Sequence, residues 1–248
     1  MSTQSRVRTT PLLLTRPKEQ GAGFAAAIAG QFGEKLRLID SPLLAPRFFA
    51  PTFPSLPYSA IILTSKTGVE GYRRLGEVKS SLPKLVFCVG QSTADAARSQ
   101  GLQPSIEAIN AADLITQITH LRPDGPLLHL RGQDSRGDVA GNLNSAGIDT
   151  KSAIVYVQDP QPFTQEAVAV LQQSAPVIVP LFSPRTARIF TSELKRCCGI
   201  SPLLIVALSK EVASEATSLA AQIKIAATPD ADAVLDALSD LLSDFGAA

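Results

Sequence analysis

The sequence predicts an α/β protein with parallel sheets, arranged as two copies of one domain. Three observations predict it. Short apolar runs with β character alternate with helical patterns along the chain, the order that βαβ units produce. Three segments also recur: Ile61-Ile62-Leu63-Thr64-Ser65 against Val179-Pro180-Leu181-Phe182-Ser183, Leu85 to Ala97 against Leu203 to Glu215, and Ala112-Asp113-Leu114-Ile115 against Ala231-Asp232-Ala233-Val234. Ser65 to Ser183 and Gln91 to Ser209 each span 118 positions, and Asp113 to Asp232 spans 119. Finally, 248 residues fall between one and two domains, with 45% apolar residues to supply the cores.

Taken in order, Pro11 to Leu14 reads as a strand. Thr15 is placed to cap a helix with Pro17 in its first turn, and Phe24, Ile28 and Phe32 form an i, i+4, i+8 stripe that stops at Gly33. Leu36–Ile39 is a second strand. Ser41 to Pro57 then carries Pro42, Pro46, Pro51, Pro54 and Pro57. Proline lacks the ladder donor and breaks helices, so this stretch reads as a connector without regular elements. Alternation resumes with strand Ala60–Leu63, helix Ser65–Leu75, strand Leu85–Val89 and helix Ser92–Gln100. A weak strand at Ser105–Glu107 follows, then a helix carrying Leu114, Ile115, Ile118 and Leu121. Leu127–Leu130 is a strand, Asp134–Ala146 a poor helix ending at Gly147, and Ser152–Val157 a strand before a polar break at Asp159 to Pro162. The remainder reads as helix Gln165–Gln173, strand Val177–Val179, helix Ser183–Leu194, strand Leu203–Ala207, helix Glu211–Ala220, strand Lys224–Ala226 and a terminal helix through Leu235, Leu238 and Leu242.

The first βαβ unit is too small to hold a core alone. The segment after Gln165 supplies three strands, and joining the two makes a five-stranded domain equal to the middle one. The expected division is therefore 1–40 plus 160–248 as a discontinuous first domain and 55–150 as the second. Residues 41–54 and 151–159 are the linkers.

Composition excludes several functions. Lys+Arg is 23 and Asp+Glu 22, so no basic stripe is available to coat nucleic acid or an anionic membrane. No apolar run approaches the roughly 18 residues of a membrane span, nor the roughly 7–15 of a secretory signal near the start. Two His, three Cys and no Trp leave little material for a zinc site, a haem pocket or a His-centred triad. The adjacent Cys197 and Cys198 and the apolar-flanked Cys88 suit reduced thiols in a cytoplasmic protein. With no strong partner surface, a monomer is expected.

Chemistry is expected at the carboxyl ends of the strands, where the next helices begin. Those turns are Thr15-Arg16-Pro17, Thr64-Ser65-Lys66, Gly90-Gln91-Ser92-Thr93, Arg131-Gly132-Gln133, Ser183-Pro184-Arg185 and Leu208-Ser209-Lys210. Most place a hydroxyl, a glycine or a cation at a helix N-terminus, where free N–H groups and the dipole favour anions. Each Ser or Thr taken singly is an ordinary N-cap; the recurrence in both domains points to a polyanionic ligand in a cleft between them. Other candidates fall away. Gly21-Ala22-Gly23 lies inside a helix, so it is no dinucleotide fingerprint, and no Gly-Lys-Ser/Thr loop exists. His129, beside Leu127, Leu128 and Leu130, reads as a satisfied core group, and His120 as a cation at a helix C-terminus. Asp134 and Asp138 read as solvated ion pairs with Arg131 and Arg136. Tyr156 stands apart, at the return between the domains.

These residues resemble the uroporphyrinogen-III synthase family. The matching pieces are Leu12-Leu13-Leu14-Thr15-Arg16-Pro17, Ala60-Ile61-Ile62-Leu63-Thr64-Ser65, and Val89-Gly90-Gln91-Ser92-Thr93-Ala94 with Gly101 after it. They continue through Leu130-Arg131-Gly132, Gly147 leading into Val155-Tyr156, and Phe182-Ser183-Pro184. The resemblance runs nearly the whole length in order. It implies two flavodoxin-like, doubly wound parallel-sheet domains joined by a two-stranded linker, with an inter-domain cleft and no metal or organic cofactor. It implies a lyase that closes hydroxymethylbilane to uroporphyrinogen III in tetrapyrrole (haem) biosynthesis, with inversion of the last ring. Thr64, Ser65, Gly90, Thr93 and Ser183 would then face the substrate, and Tyr156 would assist departure of its hydroxyl. Thr15, Arg16, Lys66, Ser92, Arg131, Gly132, Arg185 and Ser209 complete the expected binding set. Where the family commonly has a Gly-x-x-Thr turn, this chain has Leu208-Ser209-Lys210-Glu211. The rival reading is a non-enzymatic two-domain binder of a small polyanion. A pair of receiver domains is disfavoured because the strand ends lack an acidic cluster.

Overall fold

Alternating apolar strands and capped helices fold much as the sequence spaces them, in a computed structural model that describes residues 9–134 and 137–246. In chain order the elements are β1 (Thr10–Leu14), α1 (Lys18–Phe32), β2 (Leu36–Asp40), β3 (Leu44–Phe48), β4 (Ala60–Leu63), α2 (Lys66–Arg73) and β5 (Leu85–Val89). There follow α3 (Gln91–Ser99), β6 (Gln103–Ala108), α4 (Ala111–Leu121), β7 (Leu127–Gly132), α5 (Val139–Ser145), β8 (Thr150–Pro160) and α6 (Gln165–Leu171). The chain ends with β9 (Val177–Leu181), α7 (Pro184–Arg196), β10 (Leu203–Ala207), α8 (Lys210–Ser214), β11 (Ala221–Ile225) and α9 (Ala231–Gly246). Two compact units result, one running up to Ala45 and resuming at Pro160, the other spanning Pro46–Asp159.

In the first unit the sheet order is β11-β10-β9-β1-β2, with parallel pairing throughout. Central strands of such a sheet are covered on both faces, so they read as continuous apolar runs; β9 and β10 are buried at every position. Leu13, Val179 and Ile205 pack under α6, α7 and α8 with Phe190, while Leu12, Ile178 and Val206 pack against Phe24, Ile28 and Leu238 of α1 and α9. The second unit has the order β3-β8-β7-β4-β5-β6. Ile61, Leu63, Leu128 and Leu130 face α2 and α3, and Ala60, Ile62 and Leu127 face α4 and α5.

The 118-residue offset carries β4, β5 and β6 onto β9, β10 and β11, so β8-β7-β4-β5-β6 and β2-β1-β9-β10-β11 are the same order. This is the doubly wound order, in which strand succession reverses between the second and third strands. The reversal lies between β1 and β9 in one unit and between β7 and β4 in the other. Leu12 pairs with Ile178, and Leu127 with Ala60, the residue 118 positions before Ile178. Arg16 and Arg131, four residues beyond Leu12 and Leu127, therefore occupy matching places.

Several boundaries depart from expectation. The proline-rich connector contains a strand after all: β3 includes Pro46 and lies at the sheet edge, the place where a strand tolerates a residue without an N–H. Leu43 accepts from Gln161, and Phe49 donates to Val155, which sets β3 antiparallel to β8. The polar break after Val157 is absent because that same pairing extends β8 through Pro160. The helix expected from Asp134 begins only at Val139, capped by Asp138, whose carboxylate accepts from the Gly141 N–H. Arg136 lies outside the described residues. The helix expected over Glu211–Ala220 closes at Ser214, and the chain turns there to enter β11. Thr15 does not cap α1: Pro17 occupies that position, with no side-chain bond to the helix.

Candidate active site at the sheet switch points

Each unit has a reversal point in its strand order, the place where folds of this topology open a crevice beyond the strand ends, and most of the expected residues gather there. In the first unit β1 ends in Thr15 and Arg16, and β9 leads into Phe182 and Ser183. Ser183 is the N-cap of α7: its Oγ accepts from the Thr186 N–H at 3.1 Å and bonds the Thr186 hydroxyl at 2.9 Å. Arg16 lies with its Cζ 4.1 Å from the centre of the Phe182 ring, itself held edge-on by Phe24 at 4.8 Å. A guanidinium over an aromatic face gains electrostatically from the ring quadrupole. Burial pushes the Arg16 pKa down, yet guanidinium stays charged in proteins. Thr15 is 1% exposed, and its hydroxyl has no hydrogen-bond partner among the described residues. Arg185 sits half-buried in the first turn of α7, and Ser209 caps α8 through the Val212 N–H, one strand further along.

In the second unit Thr64 and Ser65 follow β4, and Ser65 caps α2 by accepting from the Gly68 N–H at 3.0 Å. Lys66 is exposed in the first turn. Across the reversal, β7 ends in Arg131 and Gly132. Arg131 donates from Nη1 to the carbonyls of Gly132 and Gln133, which stiffens the turn. The β7–β8 register shifts between Arg131 and Gly132: Arg131 faces Ile154, but Gly132 faces Tyr156. Such irregularities re-aim side chains and terminate pairing. Here the shift lays the Tyr156 ring over Gly132, where a β-carbon would lie 2.6 Å from the ring Cζ. Only glycine permits that approach. The Gln133 N–H donates to the Tyr156 carbonyl at 2.9 Å, and the Tyr156 hydroxyl reaches Ser65 Oγ at 3.4 Å. Phe48 of β3 flanks the ring at 6.1 Å between centres, and Arg74 lies over Phe48.

The remaining turn, after β5, is built differently. Gly90 caps α3 with φ +79°, a left-handed conformation that only glycine adopts readily. The helix has no side-chain cap bond, and neither Ser92 nor Thr93 is its cap; Ser92 is exposed and Thr93 buried.

The structure thus gathers Ser65, Arg131, Gly132 and Tyr156 in one crevice, and Thr15, Arg16 and Ser183 in the other. Thr64, Lys66 and Arg185 adjoin these crevices. Gly90, Ser92, Thr93 and Ser209 stand one strand away. Two contributors escaped sequence reasoning: Phe182 as the platform for Arg16, and Phe48 as the flank of Tyr156. The first was legible in principle, since Phe182 stands where the other copy has Thr64; the second depended on a strand that the prolines concealed. His129 also differs from expectation, being buried with neither ring nitrogen partnered among the described residues.

Burial pushes the Cys88 thiol up to about 12 and so keeps it protonated. Among the described residues no group of three His, Cys, Asp or Glu side chains stands close enough to hold a metal. No described helix is long and apolar enough to cross a membrane. What the crevices offer is helix N-termini, arginines and one phenol.

The family model described as uroporphyrinogen-III synthase HemD matches residues 39–236. Among solved structures, the uroporphyrinogen-III synthetase of Helicobacter pylori superposes with a TM-score of 0.59 at 16% identity, covering 94% of this chain and 99% of that one. A substituted form of the uroporphyrinogen III synthase of Thermus thermophilus matches with a TM-score of 0.45 at 12% identity, covering 95% and 99%. No curated protein matches the chain in sequence.

Proposed function

Because the chain belongs to the uroporphyrinogen-III synthase family, we propose that it closes the linear tetrapyrrole hydroxymethylbilane into uroporphyrinogen III, inverting the last pyrrole ring. Overall one C–C bond forms and one water leaves, which makes the reaction a lyase step. The observation that carries the reading in this chain is the Tyr156 phenol, set over Gly132 at a sheet reversal and within reach of a helix-capping serine.

The substrate bears acetate and propionate groups on every ring. Arg16, Arg131, Arg185 and Lys66 supply charge for them, and the turns at Thr15, Thr64, Gly90, Ser92, Thr93, Ser183 and Ser209 supply hydroxyls and helix N–H groups. Tyr156 donates its phenolic proton as the C–O bond of the hydroxymethyl group breaks, so the electron pair leaves on oxygen as water. The resulting cation, stabilised by its pyrrole nitrogen, is attacked by the substituted carbon of the last ring. The bond from that carbon to its original bridging methylene then breaks, and the freed methylene, again a pyrrole-stabilised cation, bonds the unsubstituted α-carbon of the same ring, which leaves that ring inverted. The proton lost from that α-carbon as the pyrrole regains its aromaticity restores the phenol. Because the substrate also closes unaided to the uninverted isomer, the protein contributes chiefly by holding the chain in the geometry for inversion. The same reading makes this a cytoplasmic monomer that uses no metal or organic cofactor, nucleic acid or membrane.

Supplying hydroxymethylbilane and resolving the porphyrin isomers tests this directly. The type III product is expected; formation of the type I isomer alone would overturn the reading. Tyr156→Phe is expected to lower kcat about 10-fold, below the roughly 100- to 10,000-fold usual for a positioned acid, because the leaving group also departs unaided. The circular dichroism spectrum should be unchanged. Wild-type kcat would remove Tyr156 from the chemistry while leaving the isomer result standing.

A further inference from the structure

We propose that Ser65 is a positioning residue for Tyr156, directing the phenolic proton outward to the substrate rather than binding the substrate itself. The inference rests on the reading of Tyr156 as the proton donor. It starts from a comparison of the two copies of the fold. Ser65 and Ser183 are matching helix caps, 118 residues apart, and each accepts a backbone N–H three residues on. In the first unit the side chain that follows is Thr186, and its hydroxyl bonds Ser183 at 2.9 Å. The matching residue in the second unit is Gly68, which has no side chain to do so. There the hydroxyl of Ser65 finds Tyr156 instead, at 3.4 Å.

The direction of that bond follows from the inventory of each group. Ser65 Oγ already accepts from the Gly68 N–H, and the positive end of α2 polarises it as a donor. Giving its proton to the phenol oxygen satisfies both oxygens and leaves the phenolic O–H free to point into the crevice. The reverse arrangement would point the only useful proton of Tyr156 at Ser65. A separation of 3.4 Å is long for a hydroxyl pair, as catalytic hydrogen bonds often are before substrate binds.

Two further features hold the pair together. The register shift between Arg131 and Gly132 is what brings Tyr156 opposite Gly132. Gly68 cannot readily gain a side chain, because a β-carbon there would lie 3.3 Å from the Leu130 carbonyl oxygen. The absence of a competing hydroxyl is therefore built into how α2 packs on β7.

The test is a double-mutant cycle on the whole chain with hydroxymethylbilane. Ser65→Gly keeps most of the cap, since glycine at an N-cap costs only a few tenths of a kcal/mol. It is expected to lower kcat about fivefold, the factor that corresponds to one neutral hydrogen bond, with KM unchanged. Ser65→Thr, which retains a hydroxyl, should restore most of the loss. In the Tyr156→Phe background, Ser65→Gly should lower kcat no further. A rise in KM at constant kcat would overturn the proposal, because Ser65 would then be a substrate ligand. So would the same factor in both backgrounds, with Tyr156→Phe still impaired. If Tyr156→Phe itself turned over like the wild type, the donor reading would fail and take this inference with it.

Discussion

Gly132→Ala is expected to reduce turnover of hydroxymethylbilane about 100-fold, more than removal of the Tyr156 hydroxyl does. An added β-carbon would fall 2.6 Å from Cζ, 2.7 Å from Cε2 and 2.9 Å from the hydroxyl of Tyr156. A phenol ring has no flexible end to give way, so the whole ring must swing off its site. That removes the proton donor and also moves a bulky group into the crevice, and misplacement by about 1 Å at a reacting centre costs on the order of 100-fold. The check is again a cycle. In a Tyr156→Ala background the clash has no second partner, and Gly132→Ala should cost little more. Full activity of Gly132→Ala, or an equal loss in both backgrounds, would show that the close approach does not govern the site.

His129→Leu is expected to flatten the acid side of the stability profile. His129 lies on β7 between Leu128 and Leu130, paired with Ile62 and Ser152 on the neighbouring strands. It is 2% exposed, and neither Nδ1 nor Nε2 has a hydrogen-bond partner among the described residues. Burial first, and the positive charge of Arg131 second, lower its pKa from the ordinary 6.5 to about 4, with Asp138 opposing. The folded state therefore holds the imidazole neutral where the unfolded chain binds a proton. Between pH 6.5 and pH 4 the unfolded state carries more protons, so stability falls as the pH falls through that window. The shift corresponds to about 3 kcal/mol. Leucine is close in volume and apolar, so the variant should lose that contribution and also be spared the orphaned nitrogens at neutral pH. Urea unfolding of both proteins near neutral pH and again near the lowered pKa of about 4 measures the difference, in which the other titrating groups cancel. Parallel pH dependence of wild type and variant would exclude His129 as the source.

Much of this was legible in the sequence. The alternation of four- and five-residue apolar runs with capped helices reflects local rules: period, turn residues and the burial of parallel strands on both faces. The 118-residue repeat matched Ser65 with Ser183, the strand ends drew attention to Arg16 and Arg131, and the return between the domains to Tyr156. Misreadings came where long-range pairing outweighed local chemistry. Pro46 reads as a breaker until a partner strand leaves its missing donor on an open edge. Thr15 has the composition of a cap, but Pro17 takes that place and the threonine hydroxyl is buried instead.

The sequence alone determined the α/β class, the doubled pattern and the set of strand ends at which chemistry was to be sought, because each follows from interactions between residues close along the chain. Tertiary structure decided which of those ends meet, how the strands register, and that Tyr156 rests on Gly132 beside Ser65 rather than facing another way. A shift of a single residue between β7 and β8 sets that arrangement. It depends on the balance of packing and hydrogen bonding across strands distant in sequence, a balance no local pattern of residues records.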